Sequence, residues 1–588
     1  MSKQQDSVSG KVFDRRLIAR LVSYTRPFRV WFALALVLTV VISILSPLRP
    51  VLIQRMLDQE VAAGDVPGVR TMILLLAGLV LMEFALSYGN TYLTSWLGQS
   101  VIADVRKQVF RHILHLRLRY FDRTPVGLLQ TRTVSDVETL NEVFTTGLVH
   151  ILGDMLQLAA ILAAMFWINW ELTLVVLFIF PALIVTAYIF NQKVKVSFQE
   201  VRKAVADMNA FLQEHITGMQ IIHMFNREGE ELRRFDKINR EHRRAHIKSV
   251  LYYSIFFPVV EVISALTLGV LVWYGAGRVV GNYFGFGELV AFIMFVQMFF
   301  RPIRMLADQF NVLQMGMVSA ERIFKVLDTE EIIPDLGTRT EVPDRERGIG
   351  VEFRDVSFAY NDEDWVLRHV SLQIRPGEKV ALVGATGSGK STLINLLSRF
   401  YDIQEGEILV NGVPVRDYRL ETLRSLTGVV LQDVFLFSGS IYDNITLNNP
   451  EIPHEVVEEA ARRVGAHEFI SRLPGGYGYH VRERGATLSL GQRQLIAFAR
   501  VLVYAPSVLI LDEATANIDT ESEEVIQQAI ETVMAGRTSI IIAHRLSTVQ
   551  KADQIVVLKK GSIIEQGSHQ HLLERQGAYY QLHQMQFA

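Results

Sequence analysis

Residues 384–391 read GATGSGKS: Gly384, Ala385, Thr386, Gly387, Ser388, Gly389, Lys390 and Ser391. The apolar run KVALV (379–383) precedes them and predicts a strand, and TLINLLSRF (392–400) follows and predicts a helix. Glycines spaced this way, closed by a lysine and a hydroxyl residue between strand and helix, form the pattern of a phosphate-binding loop. The glycines let backbone N–H groups turn toward phosphate oxygens, and the helix N-terminus adds positive potential. Lys390 brings a cation to the β- and γ-phosphates of a nucleoside triphosphate, and the Ser391 hydroxyl can hold Mg²⁺. An α/β domain is the expected frame for such a loop.

Two runs further along belong to the same frame. SVLILDE (507–513) predicts a buried strand ending in Asp512 and Glu513. An aspartate at a strand end beside a phosphate loop is the second support expected for Mg²⁺, and the next acid is placed to polarise an attacking water. SIIIA (539–543) predicts another buried strand, after which His544 can meet the γ-phosphate. Each run alone is weak evidence, and their order makes them mutually supporting.

At 588 residues the chain is too long for one compact domain. Its 50% hydrophobic content is unevenly spread: the first half holds long apolar runs, the second Gly-rich turns and mixed charge. A formal net charge of −2 gives no indication of nucleic-acid binding. With no cysteine, disulfides and thiolate metal sites are excluded. The N-terminal segment lacks the signal-peptide pattern. Its Val12, Phe13, Leu17, Ile18, Leu21 and Val22 fall at helical spacing between basic residues, which predicts an amphipathic helix, either lying on a membrane surface or of ordinary soluble type.

Six apolar runs are candidate spans: residues 31–46, 72–89, 147–168, 172–190, 256–277 and 289–300. About 20 apolar residues are needed to cross the hydrocarbon layer, so the first and last must extend into their flanks. Basic residues crowd the N-terminal segment and the stretches 105–123 and 193–248, whereas the connection 58–69 is acidic. Both chain ends and both long connections are therefore expected in the cytoplasm. Each long connection reads as helix running on past the membrane, a break, and helix returning: Pro125 and Gly127 interrupt the first and the run Glu214 to Gly218 the second. Such projections either dock on a soluble domain or act as solvated spacers. Glu83, Asp154 and Glu261 lie inside the spans and are either functional or simply bonded helix to helix. Phe256, Phe257, Met294, Phe295, Met298 and Phe299 either line a pocket for lipophilic guests or pack against lipid and protein. His112 and His115 lack the further ligands that a metal site requires.

Over nearly its whole length the chain resembles an ABC exporter half-transporter of the multidrug-resistance type. The resemblance implies one domain of six transmembrane helices with long cytoplasmic extensions (1–328), a linker (329–349) and an α/β ATP-binding cassette (350–588). It places the chain in the inner (plasma) membrane, with the cassette in the cytoplasm and ATP and Mg²⁺ as cofactors. By position, Tyr360 matches the aromatic that stacks on adenine. Residues Gly384, Thr386, Gly387, Ser388, Gly389, Lys390, Ser391 and Thr392 match the phosphate loop and the start of its helix. Gln432 matches the glutamine that touches Mg²⁺ with Ser391 and Asp512, Glu513 the catalytic glutamate, and His544 the switch histidine. Residues 488–492, LSLGQ, match the LSGGQ signature with Ser489, Gly491 and Gln492 retained, and Ala516 to Asp519 match the D-loop. The two breaks match coupling helices, with residues 404–438 as their receiving surface, and RERG (482–485) matches the loop linking cassette to helices. In this family two cassettes meet head to tail, so ATP lies between one chain's phosphate loop and the other's signature.

Two positions depart from the pattern: Leu490, where the signature has glycine, and Ala516, where serine is usual. Leu490 puts bulk at a close backbone contact, although a Ser489–Gln492 capping box would preserve the helix start. An intact glutamate with an altered signature is the combination carried by one subunit of bacterial heterodimeric exporters. The resemblance therefore implies an unlike partner that lacks the glutamate, with a homodimer as the alternative. The transported class is expected to be lipophilic or amphipathic compounds, or alternatively lipid or peptide. A membrane ATPase without a transported solute is the reading from another class.

Overall fold

The computed structural model describes residues 15–281, 283–341, 348–361, 364–512, 520–543 and 546–586. The chain forms two compact units, one of residues 1–114 and 124–329, the other of residues 115–123 and 330–588.

The first unit is helical. Five helical segments among the described residues are long and apolar enough to cross a membrane: Arg26–Val61, Val66–His115, Val126–Ile168, Trp170–Thr217 and Glu228–Val280. The sixth run, 289–300, falls within the helix Phe286–Leu327. Helices of 50, 48 and 53 residues far exceed what a bilayer requires, so they must continue into water. The breaks fall where backbone chemistry places them. Pro125 separates Leu118–Arg123 from Val126–Thr131 and Gly218 ends Trp170–Thr217, whereas Gly127 and Glu214 to Thr217, expected as parts of the breaks, are helical.

Much of the aromatic content of the spans is packing. Phe190 and Phe256 stack with centroids 3.8 Å apart, Phe180 meets Phe299 edge-on at 5.4 Å, and Phe295 is fully buried. Phe257, in contrast, is exposed. Two of the intramembrane acids are bonded helix to helix: Glu83 pairs with Arg49, and the Gln309 amide donates to Asp154 at 2.8 Å. His112 Nε2 lies 3.0 Å from the Thr329 carbonyl. No cluster of metal-binding side chains occurs among the described residues. The N-terminal helix, Arg15–Ser23, is anchored to this unit by Arg20, whose two terminal nitrogens each donate to Asp328 at 2.7 Å. Val12 and Phe13 lie outside the described residues.

Two features of this unit have no sequence signal. The segment Arg132–Asp136 is a wide, π-helical turn whose Arg132 and Asp136 are buried and paired at 2.7 Å, with Ser319 and Arg322 also on Asp136. Asp58, read from sequence as part of an acidic connection, instead lies in the helical turn Met56–Val61. Its Oδ1 accepts from the Gly287 N–H at 2.6 Å, so it caps the helix Phe286–Leu327 from another part of the chain.

The second unit is α/β. Its strands are β1 (Val351–Ala359), β2 (Trp365–Ile374), β3 (Lys379–Val383), β4 (Glu405–Val410), β5 (Val413–Pro414) and β6 (Thr427–Val430). They continue as β7 (Gly439–Ser440), β8 (His480–Val481), β9 (Val508–Asp512), β10 (Thr538–Ile542), β11 (Gln554–Lys559) and β12 (Ser562–Gly567). A four-stranded antiparallel sheet has the order β2-β1-β4-β5, and a six-stranded sheet the order β12-β11-β3-β10-β9-β6. In the larger sheet β11, β3, β10, β9 and β6 are parallel. Parallel strands are buried on both faces, which is why KVALV, VLILD and TSIII are almost unbroken apolar runs. Their side chains divide between two cores, Ala381, Leu509 and Ile541 entering one and Val380, Ile510 and Ile540 the other.

Candidate functional site

The parallel sheet gathers the site at the carboxyl ends of its strands, the usual place for a ligand in an open α/β sheet. β10 lies between β3 and β9, with Ile542 level with both Leu382 and Asp512. The loop leaving β3 and the acid ending β9 therefore open onto one edge. β6 adds to the same edge: Val430 pairs with Leu511, and Gln432 follows two residues later.

The loop has the backbone its glycines suggested. Gly384, Gly387 and Gly389 have φ of 153°, 80° and 105°. A Cβ at Gly384 would stand 2.3 Å from the Leu558 carbonyl oxygen, so the chain can pass there only without a side chain. The helix Lys390–Leu397 begins directly after the loop, two residues earlier than its apolar pattern suggested. Lys390 is buried and folds back, its Nζ donating to the Gly384 and Ala385 carbonyls at 2.7 and 3.1 Å. Burial lowers its pKa, and the Asp512 charge acts in the opposite direction. A cation held on carbonyl oxygens, under a glycine-rich loop of backbone donors, has the chemistry to exchange those carbonyls for phosphate oxygens. Ser388 Oγ, buried and without a partner among the described residues, is another unsatisfied group in this cradle. The donor set thus fits a polyphosphate, with the exposed Ser391, Asp512 and Gln432 on the side where Mg²⁺ would be held.

Tyr360 stands beside the loop helix, donating its phenol O–H to Thr392 Oγ1 at 3.3 Å. Phe358 and Tyr401 meet its ring edge-on, with centroids 4.9 and 5.1 Å away.

The signature residues start the helix Leu490–Tyr504. The capping box is present: Ser489 Oγ accepts from the Gln492 N–H at 3.2 Å, and Gln492 Oε1 from the Ser489 N–H at 3.0 Å. Leu490 is the first residue of the helix, where its backbone is ordinary, and Gly491 is buried. The leucine therefore leaves the fold intact, and any effect is felt by what faces the helix start. RERG forms a tight turn with Arg484 at φ 56° and Gly485 at φ 71°, and Arg493 Nη1 donates to the Gly485 and Leu488 carbonyls. Glu513, Ala516, Asp519 and His544 lie outside the described residues.

Two residues that sequence reasoning missed stand near these groups. Gln494 is buried with no partner for its Oε1 among the described residues, and with Asp512 it lines a cavity of about 20 Å³, room for one water. Tyr401 is 7% exposed and donates its phenol O–H to the Asp122 carboxylate, within the second unit. Burial first, and then Asp122, raise its pKa above the ordinary tyrosine value. The residues seen to hold the segment 115–123 all precede the expected receiving stretch 404–438: Asn361 and Asp402 meet Arg123 and Arg117, and the Glu331 carbonyl accepts from the Arg117 N–H.

Comparison with known families agrees with this arrangement. Residues 32–303 match the ABC transporter transmembrane region, and residues 367–516 match the ABC transporter family model. An ABC transporter ATP-binding protein of Bacillus subtilis, itself uncharacterized, is 39% identical over 586 residues, 99% of this chain and 96% of that protein. The chain belongs to the ABC transporter family. A probable multidrug resistance ATP-binding/permease protein of the same bacterium is 39% identical, over 91% of this chain and 80% of its own. An ATP-dependent lipid A-core flippase of Syntrophus aciditrophicus is 34% identical, over 97% and 94% respectively. The chain is thus an ATP-hydrolysing translocase, a multi-pass protein of the inner membrane with a cytoplasmic ATP-binding domain.

Proposed function

We propose that this ABC transporter is one half of an ATP-driven exporter of lipophilic or amphipathic compounds, paired with an unlike half-transporter that lacks the catalytic glutamate. The observation that carries ATP-driven transport is the meeting of Lys390, Asp512 and Gln432 at one edge of a sheet, in a chain whose other unit is built of membrane-length helices. The domain limits 1–328, 329–349 and 350–588 go with this reading, as does a sixth span in 289–300.

In the proposed mechanism Tyr360 stacks on the base, and the backbone of 384–392 with Lys390 holds the phosphates. Ser391, Gln432 and Asp512 would hold Mg²⁺, which would supply charge neutralisation at the phosphates. Glu513 orients and deprotonates the attacking water, and His544 holds the γ-phosphate. Ser489, Gly491 and Gln492 serve the partner's nucleotide, not this chain's. Leu490 therefore impairs the site built on the partner's phosphate loop, while Lys390 and Glu513 work opposite the partner's signature and Asp519 serves as the D-loop acid. Closure of the two cassettes and reopening after hydrolysis shift the membrane helices between inward- and outward-facing arrangements.

The unlike-partner reading is tested by purifying the chain alone in lipid nanodiscs and measuring ATP hydrolysis. Negligible turnover is expected, and robust turnover overturns it in favour of a homodimer. The names of the two relatives, one a multidrug protein and one a lipid A-core flippase, support both drug-like and lipid substrates. ATP-dependent uptake of a lipophilic dye into inverted vesicles, against flipping of a labelled lipid, separates these. Neither signal with the partner present would favour an ATPase that moves no solute.

A further inference from the structure

Around Tyr360 the second unit holds a short chain of contacts that the phosphate chemistry does not use. Tyr360 bonds Thr392 in the first turn of the loop helix at 3.3 Å, and its ring meets Tyr401 edge-on at 5.1 Å and 88°. Tyr401 is nearly fully buried and spends its phenol O–H on Asp122, in the short helix Leu118–Arg123. The next residue, Arg123, donates to Asn361 Oδ1 at 2.8 Å, and Asn361 adjoins Tyr360 in sequence. The segment is thus joined to Tyr360 by two routes, one through Tyr401 to its ring and one through Arg123 to its chain neighbour Asn361. Both reach the aromatic side of the site.

We propose that Tyr401 and Asp122 are positioning residues that couple the segment 116–123 to Tyr360, so that this segment responds to occupation of the base site and not to phosphate alone. The proposal rests on the reading that Tyr360 stacks on adenine. The physical basis is preorganisation. The Asp122 bond fixes the Tyr401 ring, and that ring fixes Tyr360 in the orientation a base requires. By linkage, whatever the segment does for base binding, base binding does for the segment.

The test uses the full-length chain in nanodiscs with EDTA present, so that no turnover occurs, and two probes: ATP and inorganic tripolyphosphate, which has no base. Amide hydrogen exchange across residues 116–123 is expected to slow about fivefold or more with ATP and to stay unchanged with tripolyphosphate. Tyr401→Phe and Asp122→Ala are expected to abolish this protection and raise the Kd for ATP by a similar factor, leaving the Kd for tripolyphosphate unchanged. Asp122→Asn retains an acceptor oxygen and is expected to behave as wild type. Equal protection by tripolyphosphate, or ATP protection surviving in both Tyr401→Phe and Asp122→Ala, overturns the proposal. Tyr360→Ala separates the two levels of the reading. An unchanged Kd for ATP in that variant refutes base stacking and the proposal with it. A weakened Kd there, with Tyr401→Phe and Asp122→Ala like wild type, refutes the coupling alone.

Discussion

Asp136 gives the sharpest stability prediction. Its carboxylate is 5% exposed and receives Arg132 at 2.7 Å, the Ser319 hydroxyl at 3.2 Å and Arg322 at 3.6 Å. Asp136→Leu leaves the Arg132 guanidinium, 8% exposed, as an uncompensated buried charge, which costs about 3–5 kcal/mol. The orphaned Ser319 hydroxyl adds about 1 kcal/mol. Arg322 is 40% exposed, so losing its pairing adds less than about 1 kcal/mol. Arg132→Met is milder, about 2 kcal/mol, because Asp136 keeps Ser319 and Arg322. The double variant Arg132→Met/Asp136→Leu removes both charges and is expected within about 1–2 kcal/mol of wild type. Large membrane proteins unfold irreversibly, so the measured quantity is the half-life at a fixed elevated temperature. An effect of about 3 kcal/mol or more shortens that half-life about a hundredfold if it falls on the unfolding barrier. A double variant no longer-lived than Asp136→Leu, or an Asp136→Leu half-life equal to wild type, would refute the reasoning that charge desolvation governs this turn.

Two further outcomes follow from the ATP-binding unit. Gly384→Ala meets the Leu558 carbonyl at 2.3 Å with φ at 153°, and is expected to lose about 2–4 kcal/mol and to abolish ATP binding in a nucleotide-binding assay; near-wild-type binding contradicts the loop geometry. Ser489→Ala removes one limb of the capping box and is expected to lower stability by about 1 kcal/mol, whereas Leu490→Gly keeps both capping bonds, loses no more than about 1 kcal/mol, and tightens ATP binding at the facing site of the assembled transporter without raising turnover, because the partner lacks the glutamate; unchanged binding there would show that Leu490 does not impair the facing site.

Much of this protein was legible along the chain because the signals are local. A phosphate loop needs its glycines, lysine and hydroxyl within eight residues, and a buried parallel strand must be apolar throughout. KVALV, GATGSGKS and VLILD accordingly disclosed the cassette. A bilayer demands long apolar helices, so five of the six expected spans were visible too, as were the breaks at Pro125 and Gly218. The Ser489–Gln492 capping box was readable for the same reason, since both partners lie within one helical turn. What the sequence left open were pairings between distant segments. Whether Glu83 and Asp154 serve a substrate or a neighbour depended on Arg49 and Gln309, in other helices. Asp58 looks like a connection acid until the helix Phe286–Leu327 brings Gly287 to it. Tyr401 reads as one more aromatic after a helix, and only packing places its ring on Tyr360 and its hydroxyl on Asp122. Periodicity and motif spacing record what a residue requires of its immediate backbone and solvent; which distant group meets that requirement is decided by how the helices and sheets pack.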